Sequence, residues 1–586
     1  MNKANKMFLM LILVVVFYQI CYIFNTSFIA NNIRYFVLFD DAMISMRFAE
    51  NLANGNGLVW NKGELVEGFT NPLWVVLMSI FHIFHVTKEK ISLFVQLSGA
   101  IFTVLNILII KKISDKIFKN TYISFGACVL FSFYLPSIMW SLSGMEVSLL
   151  TLTLCCSVYL LLVSIEKDKQ DYKYLLLLGI GTFIRIDFIV PAFALILTGC
   201  LILKEKRISS LLRASLIIVT FAAVQTSLRY LYYGEIFPNT YYLKMTGFPV
   251  DLRLLRGLFY YLVFILKFGL LVCIACIIVS RKFWINKMHL LLWPILSVMA
   301  YSIYVGGDAW DNWGGANRYI SVAMPLLFIF LSGSMYFLTK ILEKYIRGKP
   351  IIWRSKARKL LWVILLIIVC SWYSEAYAWA LWGQTTRYIP VAMFLLCVLI
   401  LGCIFLNTRQ LGHLLKNKIV VFYMLLILML TIRINSFNGI DSLKDLILCG
   451  ENYYAIDSVR MVSIANNIKE TTNKEAKIAV VWAGSIPYFS ERYSVDLLGK
   501  NDKKIAREKM HILQDVPVYK KFYPGHLKWD YQYSVGKQRP DVIAQLWKNQ
   551  AEAKSIMGMN YILKIMDGEK LYYLKNSKNV LWDKII

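Results

Sequence analysis

Long apolar runs alternate with short polar breaks along the first 432 residues, and the run lengths fit membrane crossings. Runs at 7–29, 91–110, 121–140, 145–164, 174–186, 187–203, 211–231, 258–280, 288–304, 319–339, 360–379, 388–405 and 418–432 predict thirteen transmembrane helices. The first, "MFLMLILVVVFYQICYIFNTSFI", is long enough to span a bilayer and no small-residue cleavage site follows it, which predicts a retained anchor. The stretch 174–203 is too long for one crossing and carries Arg185 and Asp187 at its middle. A charge at the bilayer centre costs roughly 2.5–3.5 kcal/mol, so these residues are expected at the outer tip of a tilted hairpin. Counting the apolar run 71–86 as a crossing would invert every later loop. It is expected to lie in the outer interface as an amphipathic helix, with Trp74 and two histidines at headgroup depth.

Beyond residue 432 the pattern changes to mixed charge. The alternating stretch "KIAVVW" (477–482) predicts a strand, and "NYILKIMDGEKLYYLKN" predicts a hairpin turning at Asp567 and Gly568. The expected fold class is a polytopic α-helical membrane protein. A transmembrane domain covers 1–432, with its first outer loop at 30–90, and a small extracytoplasmic α/β or α+β domain covers 433–586.

Composition agrees: 58% of residues are hydrophobic and 17% charged. The net charge of +28 would suggest nucleic acid in a soluble protein. Here the basic clusters, at 111–112, 166–173, 204–213, 281–282, 344–359 and 409–418, fall between paired runs as the positive-inside bias requires, so no nucleic acid partner is expected. The expected location is the cytoplasmic (inner) membrane, with the C-terminal domain outside it. Of eleven cysteines only Cys449 lies in the tail, and the rest, including Cys273 and Cys276, sit in apolar runs as packing residues.

On this topology the outer loops collect Asp40, Asp41, Glu146, Arg185, Asp187, "YYGEIFPNTYYLKM" (232–245) and "GGDAWDNWGGANRY" (306–319), so the site is expected to face outward. Asp40 and Asp41 repel one another, which favours either a bound cation or one carboxyl with a raised pKa suited to proton abstraction. The plainer alternative is that they cap the helix "DAMISMRFAENLANG", which stops at Gly55. An acid beside Lys and Arg at one interface suits a reaction in which a hydroxyl loses a proton and a phosphate leaves. The chain has neither a P-loop nor a G-x-G-x-x-G, and nucleotide sugars are not available outside, so the expected donor is a sugar on a lipid phosphate.

The string "FDDAMISMRFAENLANGNGLVWNKGELVEGFTNPLW" resembles the first-loop signature of the GT-C superfamily of polyprenyl-phosphate-sugar-dependent glycosyltransferases, most closely its terminal β-arabinofuranosyltransferase branch. The likeness extends through "SGMEVSLL" (143–150), "FIRID" (183–187), "YYGEIFPNTYYLK" (232–244), "GGDAWDNWGGANRY", "VDLLGKND" (495–502) and "YPGH" (523–526). It implies an inverting transferase that moves a single sugar from a polyprenyl-phosphate donor to an extracytoplasmic glycan or lipid-linked acceptor in cell-envelope biosynthesis. Asp40 matches the catalytic base and Asp41 its partner, toward an acceptor or a divalent cation. Glu146 matches an acidic position of the second outer loop. Lys244 and Arg318 stand where positive charge would hold the donor phosphate, with Arg185, Asn239 and Asp308 assigned to substrate beside them, and His526 reaches over from the tail. Met43, where the family has an aromatic, and a "GGD" loop without the family's extended polar pattern leave the sugar open.

Blander readings accompany each site. Arg185 and Asp187 also read as a structural ion pair. Asp308 and Asp311 form a D-x-x-D that is weak as a metal signature beside its tryptophans, and Trp310, Trp313 and Tyr319 fit an aromatic belt as well as a sugar platform. Two rival functions stand against the transferase: a glycan ligase or polymerase using a polyprenyl-diphosphate oligosaccharide, and a lipid-linked-sugar flippase or other transporter. The first usually carries its large soluble part between spans, and the second would place charge deep within spans and on both faces.

Overall fold

The computed structural model describes residues 3–167, 172–202, 207–265, 286–311, 317–347, 418–436, 440–450 and 453–585. The expected crossings 360–379 and 388–405, most of 258–280, and Cys273, Cys276 and Trp313 lie outside the described residues. Among the described residues, five helices are long and apolar enough to cross a membrane, and six if one bent pair is a single span. Tyr172–Ile184, Ile186–Ile202, Met324–Lys340 and Val420–Asn435 are shorter apolar helices on other expected runs. The chain is a multi-pass membrane protein.

The run 121–140 is not straight. It forms helices Thr121–Ser132 and Leu135–Leu142, bent by 57°. Pro136 in the first turn of the second helix cannot donate a backbone hydrogen bond, so the ladder breaks there. The side chain of Asn435 fills the break: its Nδ2 donates to the Phe133 carbonyl at 2.6 Å and its Oδ1 accepts from the Leu135 N–H at 2.7 Å. The stretch 174–203 forms the expected hairpin, with Arg185 and Asp187 at a 3₁₀ turn between helices Tyr172–Ile184 and Ile189–Ile202.

The helix Pro72–Ile83 corrects one expectation. Trp74 is fully buried, with Nε1 donating to the Gly144 carbonyl at 2.9 Å, so it packs inside the protein instead of at headgroup depth. His82 lies 3.2 Å from the Tyr488 hydroxyl of the tail, and of the two histidines only His85 is exposed.

Two sheets form. Strands β1 (Phe28–Ala30) and β2 (Ile33–Tyr35) make a short hairpin after the first helix, turning at Asn31 and Asn32. The tail holds a five-stranded sheet of β3 (Lys477–Val480), β4 (Tyr493–Asp496), β5 (Val542–Ile543), β6 (Tyr561–Met566) and β7 (Glu569–Leu574), in the order β4-β3-β5-β7-β6. Strand β3 runs parallel to β4 and β5, while β7 is antiparallel to β5 and β6. The centre of "KIAVVW" does not alternate: Ile478, Ala479 and Val480 are all buried, because a central parallel strand is covered on both faces. The β6–β7 hairpin turns as expected at Asp567 and Gly568, both at positive φ.

The first loop ties the tail to the bundle. Buried Arg47 donates to the carbonyls of Trp60 and Arg492, to Asn61 Oδ1 and to Ser494 Oγ. Trp60 Nε1 donates to the Ala483 carbonyl at 3.1 Å.

Candidate functional site

The two adjacent aspartates open the helix Asp40–Ala53, yet neither caps it; Phe39 is the N-cap residue and no side chain bonds there. Asp40 instead accepts from the backbone N–H groups of Ser485 at 3.0 Å and Gly484 at 3.3 Å, at the start of the tail helix Ser485–Ser490. Only glycine permits this approach, since a Cβ on residue 484 would stand 2.1 Å from the Asp40 carbonyl oxygen. Burial pushes the Asp40 carboxyl up to about 6, against the opposing pull of Lys500 and the Ser485 N–H.

Asp41 faces the other way. Its carboxylate takes Lys500 Nζ at 2.5 Å and Arg318 Nη1 at 3.0 Å. Burial works to raise its pKa, but Lys500, Arg318 and Lys244 together hold it well below the usual carboxylate range. Lys500 lies in a loop pinned by Asp496, which accepts the N–H groups of Leu498, Gly499 and Asn501. Arg318 is also forked onto Asp308, with Nε at 2.9 Å and Nη2 at 3.0 Å from its two oxygens.

The D-x-x-D pair does not form a metal pocket. Both Asp308 oxygens face Arg318, while the oxygens of Asp311 face the Asp308 N–H and the Asn317 amide. Burial pushes the Asp311 carboxyl up to about 7 despite Arg256 nearby. Among the described residues no three His, Cys, Asp or Glu side chains gather as metal ligands, and Asp41 already lies between two cations. This donor set does not fit a divalent cation.

A second arginine fork sits at the hairpin tip. Arg185 grips Asp187 through Nε at 3.0 Å and Nη2 at 2.7 Å, and its Nη1 reaches Glu146 at 2.7 Å. The other Glu146 oxygen accepts from Asn71 at 2.8 Å.

Two cavities meet at these arginines. A polar one of about 510 Å³ is lined by Asp41, Lys244, Arg318, Lys500 and Arg185 among others. An apolar one of about 420 Å³ lies between Leu150, Pro191 and Val298 of the apolar helices, with Val322 beside them. Arg185, Arg318 and Tyr319 line both. In the polar cavity Lys244 has no hydrogen-bond or ion-pair partner among the described residues, and the Thr240 hydroxyl beside it is buried without one. Burial, with Arg318 and then Lys500 close by, brings the Lys244 ammonium down to about 8.

Five of the sequence-derived candidates, Asp41, Glu146, Arg185, Lys244 and Arg318, thus line the two cavities, with Asp308 behind Arg318; Asp40 lines neither and lies within electrostatic reach of Lys500. Asn239 sits apart from the polar cavity: its Nδ2 donates to the carbonyls of Gly499 and Lys500 at 2.9 Å and of Asp502 at 3.2 Å, which fixes the Lys500 loop. His526 is buried and its ring stacks on Tyr523 at 4.3 Å. Burial and then Lys500 hold its pKa down to about 3, so the ring is neutral. Lys528 is spent on the carbonyls of Ala506 at 2.7 Å and Tyr242 at 2.9 Å. Lys500 was missed; its only signal in the sequence is its place in "VDLLGKND".

Comparison with known proteins bears on the fold. Residues 451–574 match a family described as a domain of unknown function (DUF8728). No curated protein matches the chain in sequence. The crystal structure of ArnT from Cupriavidus metallidurans bound to undecaprenyl phosphate is similar with a TM-score of 0.53 at 12% identity, over 97% of this chain and 98% of that one. The apo ArnT structure gives 0.52 at 13% identity over the same shares. A weaker likeness, TM-score 0.47 at 11% identity, covers 99% of this chain and 75% of the Archaeoglobus fulgidus oligosaccharyltransferase. The fold along the chain is similar to that of ArnT, a GT-C-like helical membrane fold carrying a small C-terminal sheet region.

Proposed function

We propose that the protein is an inverting glycosyltransferase. It moves a single sugar from a polyprenyl phosphate to a glycan or lipid-linked acceptor on the extracytoplasmic face of the cytoplasmic membrane. The observation that carries this reading is the pair of adjoining cavities. One offers the free Lys244 ammonium beside Arg318 and Lys500 for a phosphate, and the other offers an apolar channel between membrane helices for an isoprenoid. ArnT, of the same fold, binds undecaprenyl phosphate. In this reading residues 1–432 hold the donor and 433–586 close over it. The ArnT likeness does not favour the arabinofuranosyl branch, so no particular sugar is proposed.

Asp40, raised toward neutrality, is the general base. The acceptor hydroxyl gives its proton to Asp40 as its oxygen forms a bond to the anomeric carbon. The bond from that carbon to the phosphate oxygen breaks, and its electron pair leaves with the lipid phosphate toward Lys244 and Arg318. Asp41 holds Lys500 and Arg318 in place, and Asn239 positions the Lys500 loop. Transfer from a radiolabelled polyprenyl-phosphate sugar is expected to fall ~10²–10⁴-fold in purified Asp40→Asn protein. Unchanged transfer would remove Asp40 as the base.

A further inference from the structure

The parallel part of the tail sheet points one way. In parallel α/β sheets, ligands collect outside the carboxyl ends of the strands. Here the segments after β3 and β4 reach the acid pair, and the segment after β5 reaches the His526 loop. After β3 comes Trp482, two residues before the Gly484 N–H that Asp40 accepts. After β4 comes Lys500, paired with Asp41. After β5 comes Trp547, whose Nε1 donates to the His526 carbonyl at 3.0 Å. The tail therefore presents its ligand-binding edge to the membrane domain's carboxylates.

That edge carries four aromatic rings in contact. His526 stacks on Tyr523, with centroids 4.3 Å apart and planes 18° from parallel. Trp482 meets His526 at 5.8 Å and Trp547 at 5.9 Å, both edge to face. Trp482, Tyr523 and Trp547 are each only partly buried. Gly525, next to His526, brings its backbone against the Lys244 side chain, where a Cβ would stand 3.3 Å from Lys244 Cε. One polar atom is unsatisfied. His526 Nδ1 lies 2.8 Å from the Pro524 carbonyl, which can only accept, so Nδ1 carries the ring proton and Nε2 keeps a lone pair. That Nε2 is buried with no partner among the described residues. A buried acceptor left unpaired is costly unless a ligand donates to it.

We infer that Trp482, Tyr523, His526 and Trp547 form a subsite for a neutral sugar ring of the acceptor, with His526 Nε2 accepting one of its hydroxyls. The C–H faces of a pyranose or furanose match flat aromatic rings, and a single convergent acceptor orients the ring. The subsite rests on the transferase reading and assigns acceptor choice to the tail.

The test uses the full-length protein in nanodiscs with two probes. Methyl glycosides of glucose, galactose and N-acetylglucosamine, with glycerol as the acyclic control, are titrated by saturation-transfer NMR and tryptophan fluorescence. Undecaprenyl phosphate binding is followed separately by thermal shift. A methyl glycoside is expected to bind saturably and glycerol not. Trp482→Ala and His526→Phe should each weaken the glycoside at least tenfold while the lipid binds as before. His526→Phe keeps an aromatic ring in the stack and removes the Nε2 lone pair together with the Nδ1–H bond to the Pro524 carbonyl, so it serves if Trp482→Ala unfolds. Absent glycoside binding with lipid binding intact overturns the subsite, as does an unweakened His526→Phe. Glycoside binding with no lipid binding overturns the donor reading instead.

Discussion

Two arginines that line the same two cavities carry the same fork and end in different chemistry. Arg185 grips Asp187 with two nitrogens and reaches Glu146 with a third; Arg318 grips Asp308 with two and reaches Asp41 with a third. The second acid separates them. The Glu146 side chain is 0% exposed and its other oxygen is closed by the neutral amide of Asn71. The Asp41 side chain is 19% exposed and its other oxygen is held by a further cation, Lys500, beside unpaired Lys244. Enclosed by a neutral partner, the arrangement is a pin. With surplus positive charge next to a cavity, the same arrangement can hold an anion that the protein does not supply.

The comparison breaks most visibly at the pin. Arg185→Met strands Glu146 and Asp187 with their charges uncompensated, and removing one partner of a buried pair costs about 3–5 kcal/mol. Denaturant unfolding in detergent should register that loss, and adding Glu146→Gln should recover part of it because the orphaned charge is gone. A stability change under ~1 kcal/mol would make the hairpin tip a weak surface contact and undo the contrast.

The Asp41 side should respond in rate more than in stability. Lys500→Ala leaves Asp41 with Arg318 and removes one cation from the polar cavity, so folding changes little. Removing one preorganised donor at a site of developing charge typically costs roughly 10²–10³ in turnover. Steady-state transfer with thermal melting on the same sample separates the two effects. A large melting shift with normal turnover would make Lys500 a second pin.

Much of this arrangement was legible from sequence, and the failures share a cause. Charge at the middle of an apolar run placed Arg185 and Asp187 at a hairpin tip, and Asp567-Gly568 between two strands placed the turn; both depend on local energetics. The partners of Asp40 and Asp41 did not follow, because consecutive helical residues point about 100° apart and only the packing decides what each meets. Their partners Ser485 and Lys500 are 445 and 459 residues away in sequence. Trp74 reads as interfacial for the same reason: the Gly144 carbonyl that accepts its indole proton lies in another loop. The bend in the 121–140 run is half legible, from Pro136, and half not, since Asn435 that stabilises it lies 302 residues from Phe133.

The smallest expected effect sharpens the contrast most, because it reads a single proton. Burial raises Asp40 to about 6, with Lys500 pulling the other way, and Ser485, Asp41 and Gly484 also act on it. As a base it must be ionised, so kcat/KM for transfer should rise about tenfold per pH unit below pH 6 and level off above. The stability sign is opposite. A folded pKa above the unfolded value favours the protonated folded state, so this contribution is full below about pH 4 and is lost as pH rises through about 6. Lys500→Ala removes the cation that lowers Asp40, so the midpoint of its rate profile should move upward. A pin-side variant, Asn71→Ala, removes no charge and no hydrogen-bond partner of Asp40 and should leave the midpoint in place. A midpoint that moves equally in both variants would mean the two arginine sites form one electrostatic unit.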